Sequence, residues 1–347
     1  MPVKKIAKNK VTVAFSGGKD STAAVLLLRE QGNDVKTLTM RLGLIGEDEK
    51  LAKIEKLARA IEVPWQVSDV RESFREKVLD YFVNAYRSGL TPNPCVLCNR
   101  AIKFGLLMRE MEKNVPGTWF ASGHYADKEC IDGRWFLKEP LDRRKSQIYF
   151  LAMIEPVALE KIIFPIAALT IGQVRAKVAG LPLANPKESQ DVCFLQDETL
   201  AAYLLRHIPE SFADGDIVDS GRKKIGRHHG AVHFTVGQRR GTGYASGRRL
   251  YVVGRDLAAN TVTLGEESCL QSGTLTVKTP VFWRSLRGGE KLSVKIRYQL
   301  HGHEAEIVEV SATHIRAVFK KPVRAVTPGQ FGVFYDGDIV VAAGEIV

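Results

Sequence analysis

Six residues near the start, Ser16-Gly17-Gly18-Lys19-Asp20-Ser21, constrain this 347-residue chain more than any other stretch. They separate an apolar run, Val11-Thr12-Val13-Ala14-Phe15, from an amphipathic one that begins at Thr22 and reaches Arg29. That order predicts a buried strand, a tight turn and the first turns of a helix. The two glycines let backbone N–H groups come close to an anion, Ser16 and Ser21 add hydroxyl donors, and the helix start adds partial positive charge. Such a turn suits phosphate. It is not the Walker pattern, which needs Gly-x4-Gly-Lys-Ser/Thr. Asp20 is a poor phosphate ligand and a better holder for a Mg²⁺ ion that accompanies one. The plain alternative is an ordinary strand-to-helix turn of small residues; the residue types and their placement favour phosphate.

Residues 11 to roughly 195 alternate short apolar runs with amphipathic stretches. Strands are expected at Val35–Met40, Trp65–Val70 and Thr118–Gly123, and helices at Asp48–Ile61 and Arg71–Ser88. Alternation of this kind predicts a parallel sheet wound with helices on both faces. In such sheets ligands bind beyond the strand C-termini, where the turn at Ser16–Ser21, Met40 and Gly123-His124 should meet in one crevice. From about Gly215 glycines become frequent and short strand-like runs take over, among them Ala231–Val236, Leu250–Gly254, Thr261–Leu264, Leu292–Tyr298 and Gly332–Tyr335. The expected fold is therefore an α/β, doubly wound parallel-sheet domain over 1–210, a small β domain over 211–273 and a barrel-like β domain over 274–347.

Charge narrows the partners. The formal net charge is +11, spread in clusters such as Arg143-Arg144-Lys145, Arg222-Lys223-Lys224, Arg239-Arg240, Arg248-Arg249 and Lys320-Lys321. Single clusters are usually solvated surface, but their recurrence beside a nucleotide site points to a large RNA. The chain lacks the unbroken apolar run of about eighteen residues that a membrane span needs. Its basic start carries no apolar signal core, so a cytoplasmic location is expected.

Five cysteines, an odd number, point to chemistry or metal rather than a disulfide framework. Cys95 and Cys98 lie in Thr91-Pro92-Asn93-Pro94-Cys95-Val96-Leu97-Cys98-Asn99-Arg100, where two prolines predict an extended approach and a helix start near Ala101. Cys98 would then sit by a helix N-terminus and beside Arg100, both of which lower a thiol pKa. Cys193 is distant in sequence. Two readings stand open: Cys98 and Cys193 as a persulfide pair, or Cys95, Cys98 and Cys193 as three corners of a 4Fe-4S cluster. Small buried cysteines are the plain alternative. Cys130 and Cys269 have no such context and are expected to serve packing.

These motifs, taken in order, resemble the tRNA-specific 2-thiouridylases. The segments carrying the resemblance are Ser16–Ser21, Thr91–Lys103 (TPNPCVLCNRAIK), Ser122–Ala126 (SGHYA), Lys145–Leu151 (KSQIYFL) and Asp191–Leu195 (DVCFL). Thr235–Gly243 (TVGQRRGTG), Leu250–Asp256 (LYVVGRD), Ile296–Gln299 (IRYQ) and Arg324–Asp338 (RAVTPGQFGVFYDGD) continue it to the end. The first turn itself resembles the pyrophosphate loops of enzymes that split ATP between the α and β phosphates.

The resemblance implies adenylation of the wobble uracil O2 followed by sulfur transfer. It implies nucleotide contacts at Ala14, Phe15, Ser16, Gly17, Gly18, Asp20, Ser21, Met40 and Gly123. Cys98 would be the nucleophile and Cys193 the persulfide carrier. Asn93, Pro94 and Cys95 would face the target base, and His124, Lys145, Ser146, Gln147, Arg297, Tyr298 and Gln330 would touch tRNA. A sulfur-donor protein or inorganic sulfide would supply the sulfur. Two other readings keep parts of this picture: a tRNA-adenylating enzyme with a nitrogen nucleophile, and a non-catalytic tRNA-binding paralogue. The chain departs from the family at Lys19, where a hydrophobic residue is common, at Ser146, where aspartate is usual, and in a short stretch between Met40 and Glu72.

Overall fold

The computed structural model describes residues 9–184, 192–196, 198–245, 247–298 and 301–347. Asp191 of the DVCFL segment and Gln299 of IRYQ lie outside the described residues. The chain divides into two units by contact, one made of 1–78, 95–190 and 338–341, the other of 79–94, 191–337 and 342–347.

The first unit is built on strands β1 (Lys10–Ala14), β2 (Asp34–Arg41), β3 (Trp65–Asp69) and β4 (Trp119–Ser122), followed by a hairpin of β5 (Asp127–Ile131) and β6 (Arg134–Lys138), and by β7 (Ile162–Ile163). The sheet order is β3-β2-β1-β4-β7, and every pairing in it is parallel. From β1 the chain winds first to β2 and β3 on one side and then to β4 on the other. The reversal falls between β1 and β4, so that is where a doubly wound sheet opens its ligand crevice. Val11 and Val13 point into a core shared with helix α1 (Lys19–Glu30), through Ala24, Val25 and Leu28, and with helix α2 (Glu47–Ala60), through Ile54 and Leu57. The opposite face is covered by the helical segment 94–114, where Phe104 meets Phe120 edge to face with ring centroids 5.7 Å apart. Fully burying side chains of this size stabilises by about 2 kcal/mol each.

The long helix expected over Arg71–Ser88 forms over 71–87, with a π-helical turn at Arg75–Asp80. Its end is marked by Gly89, at φ +77°, and closed by the Leu90 N–H donating to Ala85 O at 2.8 Å. Glycine takes that left-handed position without steric cost.

The second unit holds two β assemblies. β8 (Asp214–Asp219), β9 (Lys224–His229), β10 (Tyr251–Asp256) and β11 (Thr261–Gly265) form a sheet in the order β10-β11-β8-β9 around Ile217, Val252, Val262 and Leu264. β12 (Gln271–Phe282), β13 (Lys291–Lys295), β14 (His303–Val310), β15 (His314–Arg324), β16 (Phe331–Asp336) and β17 (Ile339–Ile346) run in the order β12-β15-β14-β13-β16-β17. Pairing of β12 back to β17, Val277 opposite Ile346, closes the barrel.

Ala231–Val236, expected as a strand, is instead a 3-10 turn at Ala231–His233 running into loop. Gly230 and Gly237, at φ +93° and +91°, bracket it. Its alternating apolar residues are buried by a turn that drops Ala231 and Phe234 into the core.

Candidate active site

The nucleotide turn forms where the sequence places it. β1 ends at Ala14, and α1 begins at Lys19 with Gly18 as its N-cap. Gly18 has no side chain to cap the helix, so the helix start presents main-chain N–H groups and its partial positive charge at the turn. The turn is braced from within. Ser21 Oγ accepts from Ser16 N at 3.3 Å and lies 3.2 Å from Ser16 Oγ, while Thr22 Oγ1 donates to Gly18 O at 2.8 Å. Gly17 adopts φ +69°, and a Cβ there would lie 2.7 Å from Ala184 Cβ and 2.8 Å from Ile54 Cγ1. The backbone therefore passes where a side chain cannot.

Across the β1–β4 reversal, Gly123 lies against the same turn. A Cβ on Gly123 would sit 2.5 Å from Ser21 N and 2.6 Å from Asp20 C. Met40 stands near the C-terminal end of β2, where Thr39 Oγ1 donates to Phe15 O at 2.6 Å. Ala14, Phe15, Ser16–Gly18, Asp20, Ser21, Met40 and Gly123 thus belong to one end of one sheet. This cradle fits a triphosphate: glycine backbone at Gly17, Gly18 and Gly123, a helix start, and an acidic residue, Asp20, in the first helical turn.

His124 follows directly. Its Nδ1 is hydrogen-bonded to Ser122 Oγ, and its ring lies 5.8 Å from that of Phe104. Burial, with a smaller contribution from the Lys103 charge, holds its pKa well below the ordinary imidazole value, so the ring is neutral at pH 7.

The expected helix start near Ala101 is corrected. Helix begins at Pro94 and runs through Pro94–Leu97, a π-helical stretch at Cys98–Leu107 and Met108–Asn114. Proline fits a first helical position because its missing N–H would have had no partner there. Cys95 therefore occupies the first turn, and Cys98 opens the π stretch one turn later. Both thiols are half-buried. Asn99 Nδ2 donates to Phe150 O at 3.0 Å, and Arg100 pairs with Glu155 at 2.9 Å.

Cys193 is exposed. Cys130 and Cys269 are exposed too, which corrects the expectation that they serve packing. Among the described residues no group of three or more His, Cys, Asp or Glu side chains is placed to hold a metal ion. Cys95 and Cys98 belong to the first unit and Cys193 to the second.

The residues expected to touch tRNA differ in how much is left to touch it. Tyr298 is exposed and Lys145 half-buried. Ser146 is buried, 3.4 Å from Ile148 N. Gln147 makes a reciprocal pair with Tyr125, its Oε1 accepting at 2.9 Å and its N–H donating at 2.8 Å. Arg297 Nη2 donates to Arg324 O and Ala325 O at 3.0 and 2.8 Å, and Gln330 Nε2 donates to Thr91 O at 2.8 Å. Asn93 is half-buried and Pro94 buried.

Comparison with known proteins bears on the whole chain. The family model described as tRNA methyl transferase HUP domain matches residues 9–197. Models described as tRNA methyl transferase PRC-barrel domain and aminomethyltransferase β-barrel domain match 201–266 and 272–346. The tRNA-specific 2-thiouridylase MnmA of Aquifex aeolicus (strain VF5) is 37% identical over 353 residues, covering 97% of this chain and 98% of the relative. That of Clostridium acetobutylicum is 34% identical over 352 residues, covering 97% and 99%. The chain belongs to the tRNA-specific 2-thiouridylase family. Membership covers all the segments on which the resemblance was drawn, and it gives the parallel-sheet unit the HUP architecture seen above. Among the described residues no helix is long and apolar enough to cross a membrane.

One residue was passed over in the sequence. Arg255, inside LYVVGRD, donates to Leu90 O at 2.8 Å and Thr91 Oγ1 at 3.3 Å. Its signal was a cationic residue embedded in a short apolar strand.

Proposed function

We propose that this chain is an ATP-dependent tRNA-uridine 2-sulfurtransferase acting in the cytoplasm on the wobble uridine of the anticodon loop. The observation that carries the reading is near-full-length kinship with 2-thiouridylases, joined to an intact phosphate turn apposed to Gly123.

In this reading ATP binds at Ser16–Ser21 with its phosphates on the backbone of Gly17, Gly18 and the α1 start. Asp20 holds the accompanying Mg²⁺. The uracil O2 attacks the α-phosphorus, the α–β bond breaks and pyrophosphate leaves, so C2 carries AMP as leaving group. Base chemistry of this kind needs the nucleotide drawn out of its stack. Asn93, Pro94 and Cys95 face that base, while Lys145 and Tyr298 meet the RNA. Recognition spread over the segments 1–210, 211–273 and 274–347 accounts for the dispersed positive charge.

A donor protein bearing its own persulfide passes the outer sulfur to the Cys193 thiolate and leaves as a thiolate, so Cys193 becomes the persulfide. Inorganic sulfide would instead attack C2 directly and displace AMP. The terminal sulfur of the Cys193 persulfide attacks C2 and AMP departs. The Cys98 thiolate then attacks the Cys193 sulfur, which forms a disulfide and leaves the thiocarbonyl on the base. A dithiol reductant resets both thiols. The other reading of the same thiols is a 4Fe-4S cluster held by Cys95, Cys98 and Cys193.

The test is pyrophosphate release from ATP and Mg²⁺ with and without tRNA, followed by mass analysis of nucleosides after sulfide or a persulfide donor is added. tRNA-dependent release and a uridine heavier by one oxygen-to-sulfur exchange are expected. Tight tRNA binding without release or thiolation under either donor would leave the non-catalytic paralogue as the better account.

A further inference from the structure

The segment that carries Asn93, Pro94, Cys95 and Cys98 springs from two residues, Leu90 and Thr91. Their polar atoms are engaged by residues far along the chain. Thr91 N donates to Pro328 O at 2.9 Å, and Thr91 O accepts from Gln330 Nε2 at 2.8 Å. Gly329, at φ +89°, lets this contact close, because a Cβ there would lie 2.9 Å from both Leu90 Cβ and Thr91 N.

Arg255 holds the other side. Its Nη2 reaches Leu90 O and Thr91 Oγ1, while its Nη1 donates to Val232 O at 2.7 Å and to Phe234 O. Four acceptors, three carbonyls and one hydroxyl, match the rigid guanidinium fork. The guanidinium also lies 6.0 Å from the Tyr86 ring. The register slip between Val252 and Gly254 alters the strand just before Arg255, the kind of bulge that re-aims a side chain.

We infer that Arg255 is a positioning residue for the sulfur-transfer step: it fastens the root of the cysteine segment and so fixes where Cys95 and Cys98 begin. A half-buried arginine on carbonyls and a hydroxyl, rather than on a carboxylate, has geometry as its output. Small displacements of reacting groups are costly: about 1 Å can cost about a hundredfold in rate. The nucleotide turn lies on other segments, so adenylation depends on this root only through the base that Asn93, Pro94 and Cys95 face and is the less sensitive step. The inference rests on the proposed thiolation.

The experiment compares the full chain with R255A, R255K and T91V. It measures tRNA thiolation, tRNA-dependent pyrophosphate release and amide hydrogen exchange over residues 90–98. For R255A the expected result is a kcat for thiolation lowered about tenfold or more, with KM for tRNA and pyrophosphate release each within about threefold. Exchange over 90–98 should quicken. R255K, which keeps the charge but loses the fork, should recover part of the rate. If R255A does not fold, T91V removes a single bond and should lower kcat about twofold to threefold. Unchanged thiolation with quickened exchange overturns the inference, as does a parallel fall in pyrophosphate release. Failure of the unaltered chain to thiolate tRNA would overturn the functional reading instead, while exchange in R255A still reports whether Arg255 fastens the root.

Discussion

The nucleotide turn and the root of the cysteine segment both hold backbone in a defined place, and they do so by opposite routes. The turn braces itself within six residues: Ser16, Gly18 and Ser21 bond to one another, and the helix that follows supplies the donors. The root is braced from 165 and 239 positions away, by Arg255 on Leu90 and Gln330 on Thr91. Local bracing leaves a motif in the sequence. Distant bracing leaves isolated residues whose partners only the folded chain reveals. In the proposed reaction the turn that would hold ATP is braced mainly by its own residues, whereas the segment bearing Cys95 and Cys98 takes its root from residues of the β assemblies that follow it.

That contrast can be broken most sharply by Cys193→Ser. It should lower thiolation at least about a thousandfold while tRNA-dependent pyrophosphate release stays within about twofold, as in other enzymes that lose a nucleophile. Full turnover by this variant would instead support the nitrogen-nucleophile reading. Gly123→Ala attacks the other half. Its Cβ would meet main-chain atoms of Asp20 and Ser21, which cannot swing aside, so pyrophosphate release should fall about a hundredfold, near 2.7 kcal/mol in barrier. Equal tRNA affinity, measured by filter binding, should accompany it.

Gly329→Ala sharpens the comparison. The added methyl would press on Leu90 and Thr91 at a left-handed position, and thiolation should drop about tenfold with adenylation spared. A parallel loss of both would show that the two halves are mechanically one. Ser146→Asp restores the residue type usual in the family but places a carboxylate at a buried position. Denaturant titration should show a loss of about 1–3 kcal/mol, with no gain in tRNA affinity.

The smallest effect is a pH dependence. The unfolded chain protonates His124 near pH 6.5, whereas the folded chain resists protonation because burial holds the ring neutral. The unfolded state therefore binds more protons below that pH, and stability falls as pH drops from about 6.5 toward the lowered folded pKa. His124→Asn should flatten this limb of a melting-temperature profile. An unchanged slope would remove His124 as its source.

How much was legible follows from the same contrast. The strand at Val35–Met40 and the helix at Asp48–Ile61 could be read because their period matches the face they bury. Ala231–Val236 alternates like a strand yet folds as a turn, since Gly230 and Gly237 set its geometry and the core takes its side chains one at a time. The helix start at Pro94 was misplaced to Ala101 because two prolines read equally well as extended loop. The strand expected over Leu292–Tyr298 ends at Lys295, and beyond it the Arg297 guanidinium donates to the carbonyls of Arg324 and Ala325.

By itself the sequence determined the phosphate turn, the parallel sheet behind it, the change to β structure near Gly215 and the family to which the chain belongs. These are properties of contiguous residues: period, glycine placement and motif order. Only the tertiary structure decided that Gly123 closes on Asp20 and Ser21, that Ser146 is buried and Cys130 and Cys269 exposed, and that Arg255 and Gln330 hold the root of the cysteine segment. Those contacts join residues that share no local pattern. Backbone hydrogen bonds between such positions carry no side-chain signature that a sequence can display.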